Sequence, residues 1–149
     1  MPRLVSSVSV VLLSFFTGCH DSSGPAISLT LNRARWQSQN LHNYIYTGLK
    51  ICFCRPAGQE VEVIVQADTV LSAKVAGTTV ELPKGEWLTV DQLFDFAQRA
   101  YGGSYESVRV EYHPELGHPT LIVLTCPRDI LDCGTRIEIK NLGSLAYLN

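Results

Sequence analysis

The chain has 149 residues, of which 46% are hydrophobic and 17% are charged. This length accommodates one hydrophobic core, and the composition is typical of a globular domain rather than a disordered chain. The formal net charge is -2, and without Arg3 in the leader the remaining 11 basic and 14 acidic residues give 11 - 14 = -3. Nucleic-acid binding requires clustered Lys and Arg, so we expect no nucleic acid partner.

The amino terminus has the pattern of a lipoprotein signal peptide. Arg3 precedes an uncharged, mostly apolar run over residues 4–16, an order typical of secretory signals and too short to span a bilayer. The following Phe16-Thr17-Gly18-Cys19 resembles a lipobox, in which small residues precede the cysteine that receives a lipid. We therefore predict a signal peptide over residues 1–18, lipidation at Cys19 and a tether over residues 19–26. The alternative is an ordinary signal cleaved elsewhere, with Cys19 as a spare thiol.

The predicted anchor places a single domain, residues 27–149, outside the cytoplasm and close to its membrane. The chain has five cysteines, and lipidation of Cys19 leaves an even number, which suits disulfides in an oxidising compartment. The remaining four are Cys52, Cys54, Cys126 and Cys133. We expect a cell-envelope location, with the membrane as one partner through the lipid and an envelope protein as a candidate second partner.

The first predicted element is a helix from a cap at Ser28 or Thr30 to about Asn40. Its apolar stripe at helical spacing consists of Ile27, Leu31, Ala34, Ser38 and Leu41. Trp36 falls on the opposite side with Leu29. Either this helix packs on two sides, or Trp36 covers an edge of the sheet.

Three strands follow the helix. Residues 44–54 alternate with period two, which predicts a half-buried strand. Residues 61–65 and 70–75, with a turn between them, predict two more strands in an antiparallel meander. Tyr44 and Tyr46 share one face of the first strand, and with Trp36 they either anchor a partner or cover a small second core beneath a helix.

The second half of the chain has the same order of elements. Thr89 and Gln92 predict a capping box, and the apolar stripe that follows ends at Gly102-Gly103, which predicts a left-handed helix stop. Three further strands are predicted, around residues 108–112, 121–124 and 137–139. The predicted fold class is α+β, an antiparallel sheet of about six strands with two helices packed on one face, in the order α-β-β-β-α-β-β-β.

Four groups of residues carry a family resemblance through their order and spacing. They are Trp36 with Leu41-His42-Asn43-Tyr44, the triplet Cys52-Phe53-Cys54, the helix start 89–94, and the segment Tyr112-His113-Pro114-Glu115-Leu116-Gly117-His118-Pro119. Together they resemble domain-of-unknown-function family 6174, a family of predicted bacterial secreted lipoproteins. The resemblance implies an α+β lipoprotein with no established activity, and it carries over no catalytic residue.

The pairing of the four domain cysteines is open from the residues alone, because four cysteines allow three pairings. Cys52 and Cys54 lie two residues apart on one strand face, so their Cα atoms are about 6.6 Å apart, near the upper limit for a disulfide. The lone cysteine pair of the family favours Cys52 with Cys54. The same resemblance implies a disulfide between Cys126 and Cys133. This disulfide would hold a loop that relatives hold by other means.

Two rival functions rest on particular side chains. At the positions of His113 and His118, the family tends to have Asp and an aromatic residue. With Glu111 or Glu115, the two histidines could provide ligands for zinc in a metal carrier or hydrolase. The alternative is that both are solvated loop histidines. A strained disulfide between Cys52 and Cys54 would suit thiol exchange. The alternative is a structural role, as a local staple or in cross-strand bonds to Cys126 and Cys133.

The leading hypothesis is a lipid-anchored binding or structural module without enzymatic activity or a cofactor. It would act through the exposed face of the sheet or an edge strand. An apolar patch left uncovered in the folded domain would distinguish this function from the two rivals.

Overall fold

The computed structural model of the protein describes residues 24–53, 57–130 and 133–145. Its elements are α1 (Pro25–Ser38), β1 (Tyr44–Cys52), β2 (Glu60–Gln66), β3 (Thr69–Val75), α2 (Val90–Tyr101), β4 (Ser107–Tyr112), β5 (Pro119–Thr125) and β6 (Thr135–Ser144), with a 3-10 turn over Lys84–Glu86. Within these ranges no helix combines the length and the apolar character needed to cross a bilayer. The predicted signal peptide and Cys19 lie outside the described residues.

The six strands form one antiparallel sheet in the order β3-β2-β1-β6-β5-β4. Two meanders, β1-β2-β3 and β4-β5-β6, are joined where β1 pairs with β6, and Gly48 lies opposite Ile139 in this pairing. The order of elements and the α+β class predicted from the sequence are confirmed.

Both helices pack on the same face of the sheet, and Tyr44 of β1 contacts each of them. Its ring meets Trp36 of α1 edge-on, with centroids 5.4 Å apart. Its hydroxyl accepts a 2.8 Å hydrogen bond from the backbone N–H of Val90, the first residue of α2. All three residues belong to one core cluster. A single core therefore lies between the sheet and the two helices.

Tyr44, Tyr46 and Trp36 lie in this main core and are at most 3% exposed. The hypothesis that they anchor a partner is therefore wrong, and so is the second small core. The Tyr46 hydroxyl donates a 2.6 Å hydrogen bond to the Leu88 carbonyl. Because both tyrosine hydroxyls have partners inside the fold, burying the rings leaves neither hydroxyl unsatisfied.

Helix α1 buries the face opposite to the predicted one. Leu29 and Trp36 are buried, whereas Ile27 and Leu31 of the predicted stripe are 53% and 60% exposed. Trp36 packs its large ring against Tyr44 of β1, and burial of such a ring is strongly favourable. Two contacts with α2 agree with this orientation. Asp91 accepts from Trp36 Nε1 at 3.4 Å, and Asp95 pairs with Arg33 at 2.8 Å.

The ends of the helices also refine the prediction. Helix α1 begins at Pro25 with Gly24 as its N-cap, rather than at Ser28 or Thr30, because proline suits the first turn of a helix. The capping box of Thr89 and Gln92 is confirmed. Gly102 has φ -92°, so the predicted left-handed stop is wrong. The Gly102 N–H bonds instead to the Arg99 carbonyl and closes a last, tighter turn.

Candidate functional site

His113 and His118 lie in the tight loop between β4 and β5, and both have structural contacts. His118 is 3% exposed, and its Nδ1 donates to the Pro119 carbonyl at 3.0 Å. The two imidazole rings stack with centroids 5.1 Å apart. His113 Nδ1 accepts from the backbone N–H of Leu116 at 3.2 Å. The expectation of two solvated histidines is therefore wrong for His118.

The burial of His118 also sets its charge. Removal from water lowers the pKa of the imidazole; the hydrogen bond with Pro119 opposes this effect, and the charge of His113 adds to it. His118 is therefore held neutral in the fold.

The residues proposed as zinc ligands do not converge on one point. Glu111 lies on β4 and forms an ion pair with Arg109 of the same strand. In the part of the chain that the structure describes, no group of three or more His, Cys, Asp or Glu residues could hold a metal ion. The metal hypothesis consequently has no geometric support there.

Cys126 and Cys133 form the disulfide implied by the family resemblance, with Cα atoms 5.7 Å apart. Cys52, at the end of β1, is also disulfide-bonded. Its predicted partner, Cys54, lies outside the described residues. The pairing of Cys52 with Cys54 and the thiol-exchange hypothesis therefore stay predictions.

The sheet face opposite the helices, which we call the open face, carries two rows of side chains across four strands. Strand register places Ile51, Arg136, Val123 and Arg109 in one row, and Leu49, Glu138, Leu121 and Glu111 in the next. Apolar side chains on β1 and β5 thus alternate with charged side chains on β6 and β4. The two arginines pair with the glutamates of their own strands, so charge is balanced within these two rows.

The most exposed large apolar side chain described is Phe53, which directly follows β1 and is 83% exposed. Ile51, two residues earlier in the open-face row, is 47% exposed. Leu121 lies in the interior of the same face and is only 7% exposed. The end of β1 is therefore the least covered apolar part of the open face.

On the helix face, a cavity of about 260 Å³ lies between β1, β6, the 3-10 turn and α2. Its apolar walls include Tyr46, Trp87, Leu93, Phe96, Ile137 and Ile139, and its polar lining residues include Lys50 and Glu86. We call it the indole pocket, because the indole of Trp87 is 5% exposed and its Nε1 is buried without a hydrogen-bond partner among the described residues.

Gly48 fixes the position of the Trp87 ring. A Cβ at position 48 would lie 2.6 Å from Cζ3 of Trp87, closer than real contacts allow. The absence of a side chain on β1 therefore lets the indole lie against the strand. Beside it, Lys50 is half-buried and forms no ion pair within residues 24–53, 57–130 and 133–145.

A second and more open cavity of about 470 Å³ shares Phe96 with the indole pocket. Cys133 of the disulfide and the exposed Ile130 line it. Both cavities and the exposed Phe53 thus lie towards the end of the sheet where β1 and β5 finish.

The domain as a whole is similar to one known protein family. The model of a family of unknown function (DUF6174) matches residues 28–144. The chain belongs to this family. No curated protein and no solved structure matches the chain.

The DUF6174 match spans the open-face rows and the indole pocket, so both are parts of the family domain. Strand alternation divided the side chains between two faces of the sheet, but it did not show which face the helices cover. Sequence reasoning missed the indole pocket, whose lining comes from four separate segments and follows no single periodicity. Gly48 inside a strand was the one available signal, because such a glycine often marks a close approach.

Proposed function

We propose that this DUF6174 protein is a lipid-anchored protein of the cell envelope that binds an envelope protein through the open face of its sheet, without catalysing a reaction. The observation that carries this proposal is the uncovered apolar end of β1, with Phe53 at 83% exposure. Exposed aromatic side chains are the residues that most often anchor a protein partner.

The rest of the open face has the composition of an interface. Leu49 and Ile51 offer apolar contact, and the neighbouring charged strands offer hydrogen-bonding groups in fixed register. The ion pair of Arg136 with Glu138 at 2.6 Å holds these groups in place. An apolar centre beside ordered polar groups favours a specific partner over non-specific adhesion.

The anchor rests on the leader pattern that ends in Cys19. From Cys19 to Gly24, where the described residues begin, five peptide units reach at most about 18 Å at roughly 3.5 Å each. A lipidated chain would therefore hold the open face close to its own membrane, within reach of other envelope proteins.

Metabolic labelling with an alkyne fatty acid tests the anchor. The full chain in its own host should take up the label and fractionate with membranes, whereas Cys19→Ser should lose both properties. Retention of the leader on the native product, or an unlabelled wild type, would overturn the anchoring part of the proposal.

Photo-crosslinking tests the binding surface. A photoreactive phenylalanine in place of Phe53 should give one adduct of defined mass in intact cells. The same residue in place of Ile27, another exposed apolar side chain, is the matched control and should not give it. Arg136→Glu should reduce the adduct at position 53. Equal adduct patterns at positions 53 and 27, or no adduct at position 53, would contradict the proposal that the open face binds a protein.

A further inference from the structure

We propose that the indole pocket binds a small apolar monocarboxylate. This inference does not depend on a protein partner at the open face, because the pocket lies on the opposite face of the sheet. Its three supports are the size of the cavity, the apolar walls, and a lining lysine that has no ion-pair partner in the described fold.

The volume limits the ligand. A cavity of about 260 Å³ holds about nine heavy atoms, at about 30 Å³ each, the share of a liquid water molecule. This is slightly below the usual range for drug-sized ligands. The ligand is therefore small, and most of its atoms must be carbon because the walls are aliphatic and aromatic.

Lys50 selects the charge of the ligand. It lines the cavity, is half-buried and has no ion-pair partner in the described ranges. A carboxylate accepts from its ammonium group, and hydrogen bonds between charged groups are stronger than neutral ones. Glu86 is the only acidic residue among the described lining residues, and it is exposed.

The pocket is formed before any ligand arrives. The Trp87 ring lies directly against Gly48, and even a methyl group at position 48 would displace it. The Tyr46 hydroxyl donates to the Leu88 carbonyl and fixes the residue next to Trp87. A preformed apolar site with few polar groups is the usual form of a small-molecule site.

Heptanoate and heptanamide separate charge from shape, because both have about nine heavy atoms. The full chain, purified in detergent, is titrated with each ligand by calorimetry. We expect heptanoate to bind at least about tenfold more tightly than heptanamide. In a 1H–15N spectrum, heptanoate should move the indole resonance of Trp87 and leave that of Trp36 in place.

Three variants test the assigned lining residues. Lys50→Met and Trp87→Phe should each weaken heptanoate binding about tenfold or more, whereas Lys84→Met should not. Lys84 is the matched control because it is an exposed lysine outside the lining. Thermal melts establish that each variant folds; if Trp87→Phe does not, Lys50→Met and the ligand pair decide. Equal affinities for the two ligands, no binding at millimolar heptanoate, or full affinity of Lys50→Met would overturn the proposal.

Discussion

The hydroxyl of Tyr44 caps a helix from inside the core. It accepts from the Val90 N–H at 2.8 Å, and this N–H has no acceptor within α2 because it lies in the first turn. Burial raises the pKa of this hydroxyl, with hydrogen bonding opposing the effect, so the group stays neutral at physiological pH. A core side chain thus fixes where α2 begins.

We expect Tyr44→Phe to lower the free energy of unfolding by about 1–3 kcal/mol, because it leaves the buried Val90 N–H without an acceptor. Urea denaturation followed by circular dichroism measures this loss. Tyr105→Phe is the control, since no described hydrogen bond involves the Tyr105 hydroxyl. Equal denaturation midpoints for the two variants would contradict the capping role.

The buried imidazole of His118 predicts a loss of stability in acid. Its pKa is lowered in the fold, chiefly by removal from water, whereas the unfolded chain takes up a proton near pH 6.5. The folded state therefore binds fewer protons below that pH. The stability is fully present above pH 6.5 and is lost as the pH falls from there towards the folded pKa.

Urea denaturation is measured at about pH 7.5 and about pH 5.5, on either side of the pKa of an unfolded histidine. We expect the midpoint to be lower at the acidic pH. His118→Phe should reduce this difference, because phenylalanine fills the site and takes up no proton. His42→Gln, at an exposed histidine paired with Asp68, is the control. An unchanged pH dependence in His118→Phe would refute the assignment.

At the scale of elements, the contact between α1 and the loop before β5 depends on Gly117. Its φ is +81°, and a Cβ there would lie 2.5 Å from the Asn32 carbonyl oxygen and 2.9 Å from Cβ of Arg35. Glycine therefore serves both the backbone conformation and the close approach of the helix.

Substituting this glycine should separate the two elements. We expect Gly117→Ala to destabilise the fold by about 1–3 kcal/mol more than Gly77→Ala does. Gly77 has φ +73° but open space around its Cβ position, so its variant isolates the backbone strain, about 1–2 kcal/mol. Thermal melts of both variants give the comparison, and equal losses would mean that α1 moves away without cost.

The disulfide between Cys126 and Cys133 restrains the loop from β5 to β6. It closes a loop with a sequence separation of 7, for which chain entropy predicts roughly 2–3 kcal/mol of stabilisation. The double variant Cys126→Ser/Cys133→Ser should lose about that amount in urea denaturation while keeping its far-ultraviolet spectrum. A loss below about 0.5 kcal/mol, within the usual scatter of surface substitutions, would show that the loop is ordered by other contacts.

The two helices show what the sequence can predict at this scale. Helix α2 carries its own signals, a capping box and one apolar stripe, and both its start and its buried face were predicted correctly. Helix α1 has two apolar sides, Ile27 with Leu31 and Leu29 with Trp36. Contacts with β1 and α2 decide between them, and no local pattern within α1 contains those contacts.

At the scale of the whole molecule, the open face depends largely on local sequence patterns, whereas the indole pocket depends on contacts between distant segments. The grouping of side chains on the open face follows from strand alternation, because side chains two residues apart share a face, whereas the helix packing decides which face stays open. The indole pocket requires Lys50, Trp87 and Ile137 to meet, and these lie in segments whose arrangement depends on the strand order. The order with β6 beside β1 could not be predicted from pattern, since nothing local distinguishes it from other antiparallel orders.

The central place of β6 predicts how the domain responds to truncation. A chain ending at Ile130 lacks β6, which would leave β3-β2-β1 and β5-β4 as separate sheets. We expect no cooperative thermal transition from this chain, because neither part keeps a closed core. The control is a mixture of residues 24–130 with a separate peptide that contains β6. This mixture should regain the cooperative thermal transition. A cooperative melt of the truncated chain alone would contradict this prediction.

The pairing of β1 with β6 joins residues that are 83 to 100 positions apart, from Cys52 with Thr135 to Tyr44 with Ser144. Contacts between such distant residues make folding slow. While the chain is being synthesised, β1 therefore exposes one unpaired edge until β6 has emerged. Such an edge can pair with strands from other chains, so the interval before β6 emerges is the one in which this sheet is most open to aggregation.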